Sequence, residues 1–442
     1  MFAKTESDSK MKNGGLKGAL IMKRYKVEFN KHYFDGRDVF PKGEITVGND
    51  NVSALKTVHE FLDTLWKTCC KEPYGKMKYP FLVPGGFYAD LWDWDSFFMA
   101  CAVPEEGYRY AKGSIQNLLE GMNEETGAPA KKYGLDGSVD YTQHPYPLQI
   151  QFAYIMAKRT GDMKGLEKEY PRFERVLKWY EENTKKFGFY VWNSLWGNGI
   201  DNNPSVYGRM PGSSAGVDLA SFHYRELMAM RKVSEKFAPD KAGFYAEMAH
   251  NLKKQICEKY FDCADGMFYN IDLNYNADNV TNQKVGWVTH LKFKSWASMF
   301  PLWAGAATSE QAKIMRDRIM SEEEYLSCCG IRSHSKNDMV YNNEPMGNPS
   351  NWQGPVWGLS TFVTAYGLAR YGYKDDALEV AYRLIRTFAA DIEQNKCIHE
   401  AYSGETGQPL IKPGFVSWNM LAYKIIDDIE NGKDCTTEDI LC

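Results

Sequence analysis

The 442-residue chain has no stretch approaching the roughly 20 apolar residues that a membrane span needs, and no Lys/Arg run or basic tail of the kind that tracks nucleic acid. Neither a membrane nor a nucleic-acid partner is expected. There is no CxxC among its 10 cysteines, only the adjacent pairs Cys69-Cys70 and Cys328-Cys329. The opening Met-Phe-Ala-Lys-Thr-Glu-Ser-Asp-Ser-Lys carries no apolar core of a secretory signal. The cysteines therefore read as reduced thiols of a cytoplasmic protein, and a disulfide framework or thiolate metal site is not expected. A GxGxxG after a strand, GxxxxGK(S/T) and HExxH are all missing, which removes the usual nucleotide and zinc-protease readings. Sustained strand patterns are scarce as well.

Aromatic residues are in excess: 12 Trp, 28 Tyr and 23 Phe make up 14% of the chain. Many of the Trp stand beside Asp, Asn and Gly instead of in apolar runs, as platforms for the apolar faces of sugars do. The net charge of −4 is spread over interspersed acids and bases, and the oligomeric state leaves no mark on such a sequence.

Residues 1–45 are polar and Lys-rich, with one alternating stretch at Arg24–Phe29, and read as a leader packed on the main body. Helical periodicity dominates residues 46–442. Leu166, Tyr170, Phe173, Leu177 and Tyr180 mark one apolar face; so do Tyr245, Met248, Leu252 and Ile256, and Leu378, Ala381, Ile385 and Phe388. Between the helices lie Val83–Asp95, Asp136–Pro147, Trp192–Gly212, Asn342–Trp357 and His399–Gly414, rich in Gly, Pro, Asn, Asp and Trp. Loops this long in a helical domain are usually functional. No Pro/Gly/Ser linker divides the chain. One all-α domain of about a dozen helices in two concentric rings, its long loops at one end, fits this pattern.

Glycosidic cleavage needs one carboxylic acid to protonate the leaving oxygen and a second carboxylate to attack or to activate water. Two loop carboxylates have suitable neighbours. Asp201 lies in Trp196-Gly-Asn-Gly-Ile-Asp201-Asn-Asn-Pro204, and Glu400 in Ile398-His-Glu400-Ala-Tyr402-Ser-Gly-Glu-Thr-Gly407. The plainer readings are a surface turn before a proline and a loop carboxylate bonded to backbone amides. In Tyr88-Ala-Asp-Leu-Trp92-Asp93-Trp94-Asp95, acids alternate with indoles; Asp95 could cap a helix, or the group could grip sugar hydroxyls. A metal loop suits it poorly, because the Trp residues are interposed. Asn351-Trp352-Gln353-Gly-Pro-Val-Trp357, entering a helix at about Val356, offers amides and indoles to a neutral ligand. The aromatic loops show no Arg/Lys cluster of the sort a phosphorylase needs.

These motifs, in this order, resemble the trehalase-like clan of glycosidases, most closely glycoside hydrolase family 63 with its short mannosylglycerate and glucosylglycerate hydrolases. The likeness spans about residues 50–425. It rests on Trp92-Asp93-Trp94-Asp95, Gly199-Ile-Asp201-Asn-Asn-Pro204, Phe300-Pro-Leu-Trp303-Ala-Gly305, Asn351–Trp357, His399-Glu400-Ala-Tyr402 and Gln143-His-Pro-Tyr-Pro147. The resemblance implies an (α/α)6 barrel, an inverting hydrolysis of a small α-glucoside or α-mannoside, and no metal or organic cofactor. It makes Asp201 the general acid, protonated through burial, and Glu400 the ionised general base, with carboxyl groups roughly 6.5–9.5 Å apart. It places Trp92, Asp93, Trp94, Asp95, Gln143, Trp352, Gln353 and Trp357 around the sugar, with Tyr402 beside the base, and Tyr88 and Trp196 complete the substrate-binding set. His144 and His399 become hydrogen-bonded neighbours. A non-catalytic sugar binder, an epimerase or a phosphorylase is the alternative on this fold. The chain departs from the family at Gln353, where Arg is usual. It departs again after Tyr402, where Ser-Gly-Glu precedes the Thr-Gly. Glucose versus mannose and the identity of the aglycone are not written in these motifs.

Overall fold

A computed structural model of the protein describes residues 45–274, 288–346 and 349–442. The expected leader and its strand at Arg24–Phe29 lie outside the described residues, Ile45 excepted.

Twelve α-helices are found among the described residues. In chain order they are α1 (Asn51–Leu65), α2 (Asp93–Ala102), α3 (Tyr108–Glu120), α4 (Gln149–Thr160), α5 (Met163–Asn183) and α6 (Val217–Phe237). There follow α7 (Pro239–Gln255), α8 (Phe300–Trp303), α9 (Ser309–Ile319), α10 (Gly358–Arg370), α11 (Lys374–Asn395) and α12 (Ile425–Glu430). Short 3-10 turns, Trp296–Met299 and Ser417–Tyr423, extend α8 and α12 at their N-terminal sides.

The even-numbered helices form an inner ring. Each packs on the next, α2 on α4, α4 on α6, α6 on α8 and α8 on α10; α10 then meets the turn Ser417–Tyr423, which returns to α2 and closes the circle. The odd-numbered helices lie outside, α7 against α6 and α11 against α10, with α1 beside α11. The chain folds as the (α/α)6 barrel that its sequence led us to expect.

The two rings differ in pattern because they differ in burial. All ten residues of α2 are buried, and so is α10 from Gly358 to Leu368. A helix buried all round has no polar stripe to show. Outer helices keep one apolar face: the buried residues of α5 are Leu166, Tyr170, Phe173, Val176, Leu177 and Tyr180. The periodicities found in the sequence were those of outer helices.

Every inner helix is entered from an outer one by a long connection, and each but the last, α12, is left by a short one. The long connections therefore gather at one end, where the inner helices begin. All five long loops read from the sequence are of this kind, and the sixth precedes α8. Strands occur only in these connections, and none among the described residues exceeds the five residues of Pro409–Pro413. One three-stranded sheet joins Val356–Trp357, His399–Tyr402 and Pro409–Pro413.

The opposite end is closed by the segment after α12. Arg159 at the end of α4 donates to the carbonyls of Ala100 and Cys101 at the end of α2, satisfying acceptors that a helix C-terminus leaves open. Arg225, fully buried in α6, lies 3.7 Å above the Trp303 ring and donates to Gln151 Oε1, Thr437 Oγ1 and the Thr436 carbonyl. Replacing it strands these acceptors at about 1–3 kcal/mol each. Arg225→Leu is expected to lower stability by about 3 kcal/mol or more, measured by chemical denaturation.

Candidate active site

At the loop end the structure holds a cavity of about 560 Å³. It is lined by Asp201 and Glu400 together with Tyr88, Trp92, Trp94, Asp95, Gln143, Trp196, Trp352 and Trp357. Two carboxylates 199 positions apart in the chain thus share one aromatic chamber.

Asp201 is held by the loop before α10. The Ser350 amide and hydroxyl both donate to its Oδ2, at 3.1 and 2.8 Å, and the Ser350 hydroxyl accepts from Trp352 Nε1 at 3.1 Å. The next residue interlocks the same two loops. Asn202 accepts the Trp352 amide at 2.7 Å and donates to Asn351 Oδ1 at 3.0 Å. Gly199 has φ +67°, and a Cβ there would come within 2.3 Å of the Trp94 indole. The glycine lets the acid-bearing loop lie flat on that ring.

The aromatic floor is continuous. Trp352 stacks on Trp357 with centroids 4.0 Å apart, Trp296 stacks behind Trp352, and Trp94 contacts Tyr146 and Trp418. Burial dominates the electrostatics of the acids among these rings. It raises the Asp201 carboxyl above its ordinary range, against the Ser350 bonds and Lys131. Asp95, in the first turn of α2, is pushed up to about 7 although Ser417 donates to it at 2.7 Å. Asp95 thus accepts a side-chain bond inside the helix and does not cap it.

Glu400 sits in the central strand of the three-stranded sheet. The Tyr88 hydroxyl donates to both its oxygens, at 3.1 and 3.3 Å. The register pairs His399 with Pro413 and Ala401 with Ile411, so Lys412 falls opposite Glu400. Burial nevertheless pushes Glu400 up to about 8; Lys412 opposes the rise, and Asp95 and Asp201 add to it. Loss of hydration thus outweighs one lysine and one tyrosine and opposes the ionised state expected of Glu400.

Three residues expected at the sugar stand behind the cavity wall. Asp93 is buried beside Lys131, and burial pushes it to about 6. Gln353 donates to the Asn202 carbonyl at 2.8 Å and accepts from Asn342 at 3.1 Å. That second bond requires an acceptor, which Arg lacks, so Gln353 acts as a clamp between loops. Tyr402 is fully buried and donates to Asp391 Oδ2 at 2.7 Å. Of the two histidines, His144 stacks on Trp192 at 4.9 Å, and His399 lies against Asp391; neither lines the cavity.

Sequence reasoning missed Phe87, Lys131, Lys132, Asp140, Ser350, Lys412 and Trp418. Three lysines reach the cavity, Lys131 and Lys132 from outside the aromatic loops and Lys412 from the loop that carries Glu400. Lys131 is spent on the carbonyls of Trp196 and Gly197, both at 2.6 Å. Lys132 pairs with Asp90 at 3.2 Å, and Lys412 lies 4.1 Å above the Phe87 ring. Phe87, Asp140, Ser350 and Lys412 lie in the long loops named from the sequence, whereas Lys131, Lys132 and Trp418 fall outside them.

The family model for a mannosylglycerate hydrolase MGH1-like glycoside hydrolase domain matches residues 88–418. Periplasmic trehalase of Escherichia coli O1:K1 is 19% identical over 488 residues, covering 92% of this chain and 81% of that protein. The mannosylglycerate hydrolase of Thermus thermophilus solved with Tris and D-glycerate superposes with a TM-score of 0.65 at 15% identity, over 83% of this chain and 99% of that one. Neutral trehalase Nth1 of Saccharomyces cerevisiae gives 0.60 at 17% identity, over 86% and 82%. At these identities the solved structures establish the fold.

A carboxyl raised on folding stabilises the protein fully below its unfolded value, and that contribution is lost as pH rises through the folded one. Glu400→Gln is therefore expected to melt with the wild type at pH 4 and above it by a growing margin up to about pH 8, read by calorimetry across the pH series.

Proposed function

The chain belongs to the MGH1-like glycoside hydrolase family, and on that premise we propose that it hydrolyses a small α-glucoside or α-mannoside with inversion. Asp201 is the general acid and Glu400 the general base. The observation that carries this assignment is their meeting in one aromatic cavity, each with a different set of hydrogen-bond partners.

Both donors to Asp201 converge on Oδ2, so the acidic proton resides on Oδ1. That proton passes to the glycosidic oxygen as the bond to the anomeric carbon breaks. Glu400, ionised, takes a proton from a water that attacks the opposite face. The aglycone leaves as an alcohol and the sugar as its β-anomer. The Trp94 and Trp352 rings offer apolar surface to the sugar, and Asp95 and Gln143 accept or donate to its hydroxyls. Trp92 and Trp196 form the outer wall.

Phe87, Lys132 and Lys412 support an aglycone that carries a carboxylate, as the D-glycerate held by the Thermus thermophilus enzyme does. Mannosylglycerate and glucosylglycerate accordingly stand ahead of trehalose and short α-gluco-oligosaccharides. A cytoplasmic location is part of the same reading, supported by ten cysteines carried as free thiols. No helix among the described residues is long and apolar enough to cross a membrane.

Proton NMR of the first sugar released from a panel of these substrates is expected to show the β-anomer, with no dependence on added phosphate. An α-anomer appearing first would sink the inverting pair, and a phosphate requirement would make the protein a phosphorylase. Asp201→Asn and Glu400→Gln are each expected to lower kcat by about 10²–10⁴-fold, measured on whichever substrate turns over. Lys412 favours the ionised form of Glu400, so Lys412→Met is expected to move the acidic limb of the kcat/KM profile to higher pH.

A further inference from the structure

We propose that Asp391, near the C-terminal end of α11, is the positioning residue that aims Glu400 into the cavity. The inference rests on the reading of Glu400 as general base.

In an unbroken strand, side chains alternate, so His399 and Ala401 would share one face and Glu400 and Tyr402 the other. The register shifts between Ala401 and Tyr402. Bulges of this kind re-aim a side chain next to a site. Here the Tyr402 hydroxyl and His399 Nδ1 both reach Asp391 Oδ2, at 2.7 and 2.6 Å. The Tyr402 hydroxyl also accepts the His399 backbone amide at 2.8 Å, closing a loop of bonds around the residue between them. Asn395 holds the other Asp391 oxygen at 2.8 Å, fixing the carboxylate to its own helix. Asp391, His399 and Tyr402 are completely buried. Glu400 is left as the strand residue whose carboxylate faces the cavity, under Tyr88 and opposite Lys412.

Asp391, Cys397 and His399 also offer a carboxylate, a thiol and an imidazole within 4.8 Å of one another. The Asp391 oxygen that would ligate a metal already accepts two short bonds. The cluster is satisfied as an anchor.

The test compares steady-state kinetics and melting of Asp391→Asn, Tyr402→Phe, Asn395→Ala and Glu400→Gln. Asp391→Asn puts an amide donor against either the Asn395 amide or the Tyr402 and His399 donors, while Tyr402→Phe removes only the hydroxyl, with its bonds to Asp391 and from the His399 amide, and keeps the ring, so it remains informative where the first variant fails to fold. Both are expected to lose about 10–100-fold in kcat, as misplacement near 1 Å does, while KM stays within about twofold of wild type. Asn395→Ala, which loosens the helix side alone, is expected to keep most of kcat. Wild-type kcat in Tyr402→Phe and in folded Asp391→Asn would overturn the proposal. So would losses in kcat and KM that track melting temperature across all three. Near-wild-type kcat in Glu400→Gln would overturn the base assignment itself, and this inference with it; a Glu400→Gln slowed as expected beside an Asp391→Asn with wild-type kcat overturns the inference alone.

Discussion

The inner-ring helices pack each on the next, and α2 and most of α10 are buried on every side, so the chemistry this ring supports is placed at its ends. The chain enters each inner helix from an outer one by a long connection. That places six loops over one end and leaves short turns at the other. The cavity is the space those loops enclose above the first turns of the inner helices. Its floor is the top of a packed core.

Taking carboxylates out of water is what gives this chamber its character. Asp95, Asp201 and Glu400 are all raised, with loss of hydration the first cause in each. A helix N-terminus normally favours a nearby carboxylate by about 0.3–1 kcal/mol at exposed positions, and in the first turn of α2 that benefit does not outweigh burial. The same raised carboxylates oppose folding increasingly as pH rises from their unfolded values toward their folded ones, so the proposed function and the stability of the fold pull in opposite directions at Glu400.

Two loops from opposite parts of the chain hold the proposed acid as one unit. Asn202 exchanges amide bonds with Asn351 and Trp352, Ser350 reaches Asp201, and Gln353 closes the clamp through Asn202 and Asn342. This accounts for the departure from the family's Arg at position 353. The side chain faces a carbonyl on one side and an amide donor on the other, and glutamine serves both. A side chain expected to touch sugar instead orders the loop that does.

The sequence by itself determined the ring architecture, since amphipathic stripes and long Trp- and Gly-rich loops alternate along the chain. It also singled out Asp201, Glu400 and most of the aromatic wall, because carboxylates flanked by indoles, amides and glycines are visible locally. Tertiary structure alone decided which of the named residues face the cavity. Asp93, Gln353 and Tyr402 turn into the wall, a choice made by partners at Lys131, Asn202 and Asp391 that are distant in sequence for two of the three. Lys131 and Lys132 turn inward, although nothing beside them in the chain distinguishes them from surface lysines, and Lys412 does so from the loop that carries Glu400. The upward shift of the Glu400 carboxyl was equally out of reach, because hydration is lost to groups that only the closed ring brings together.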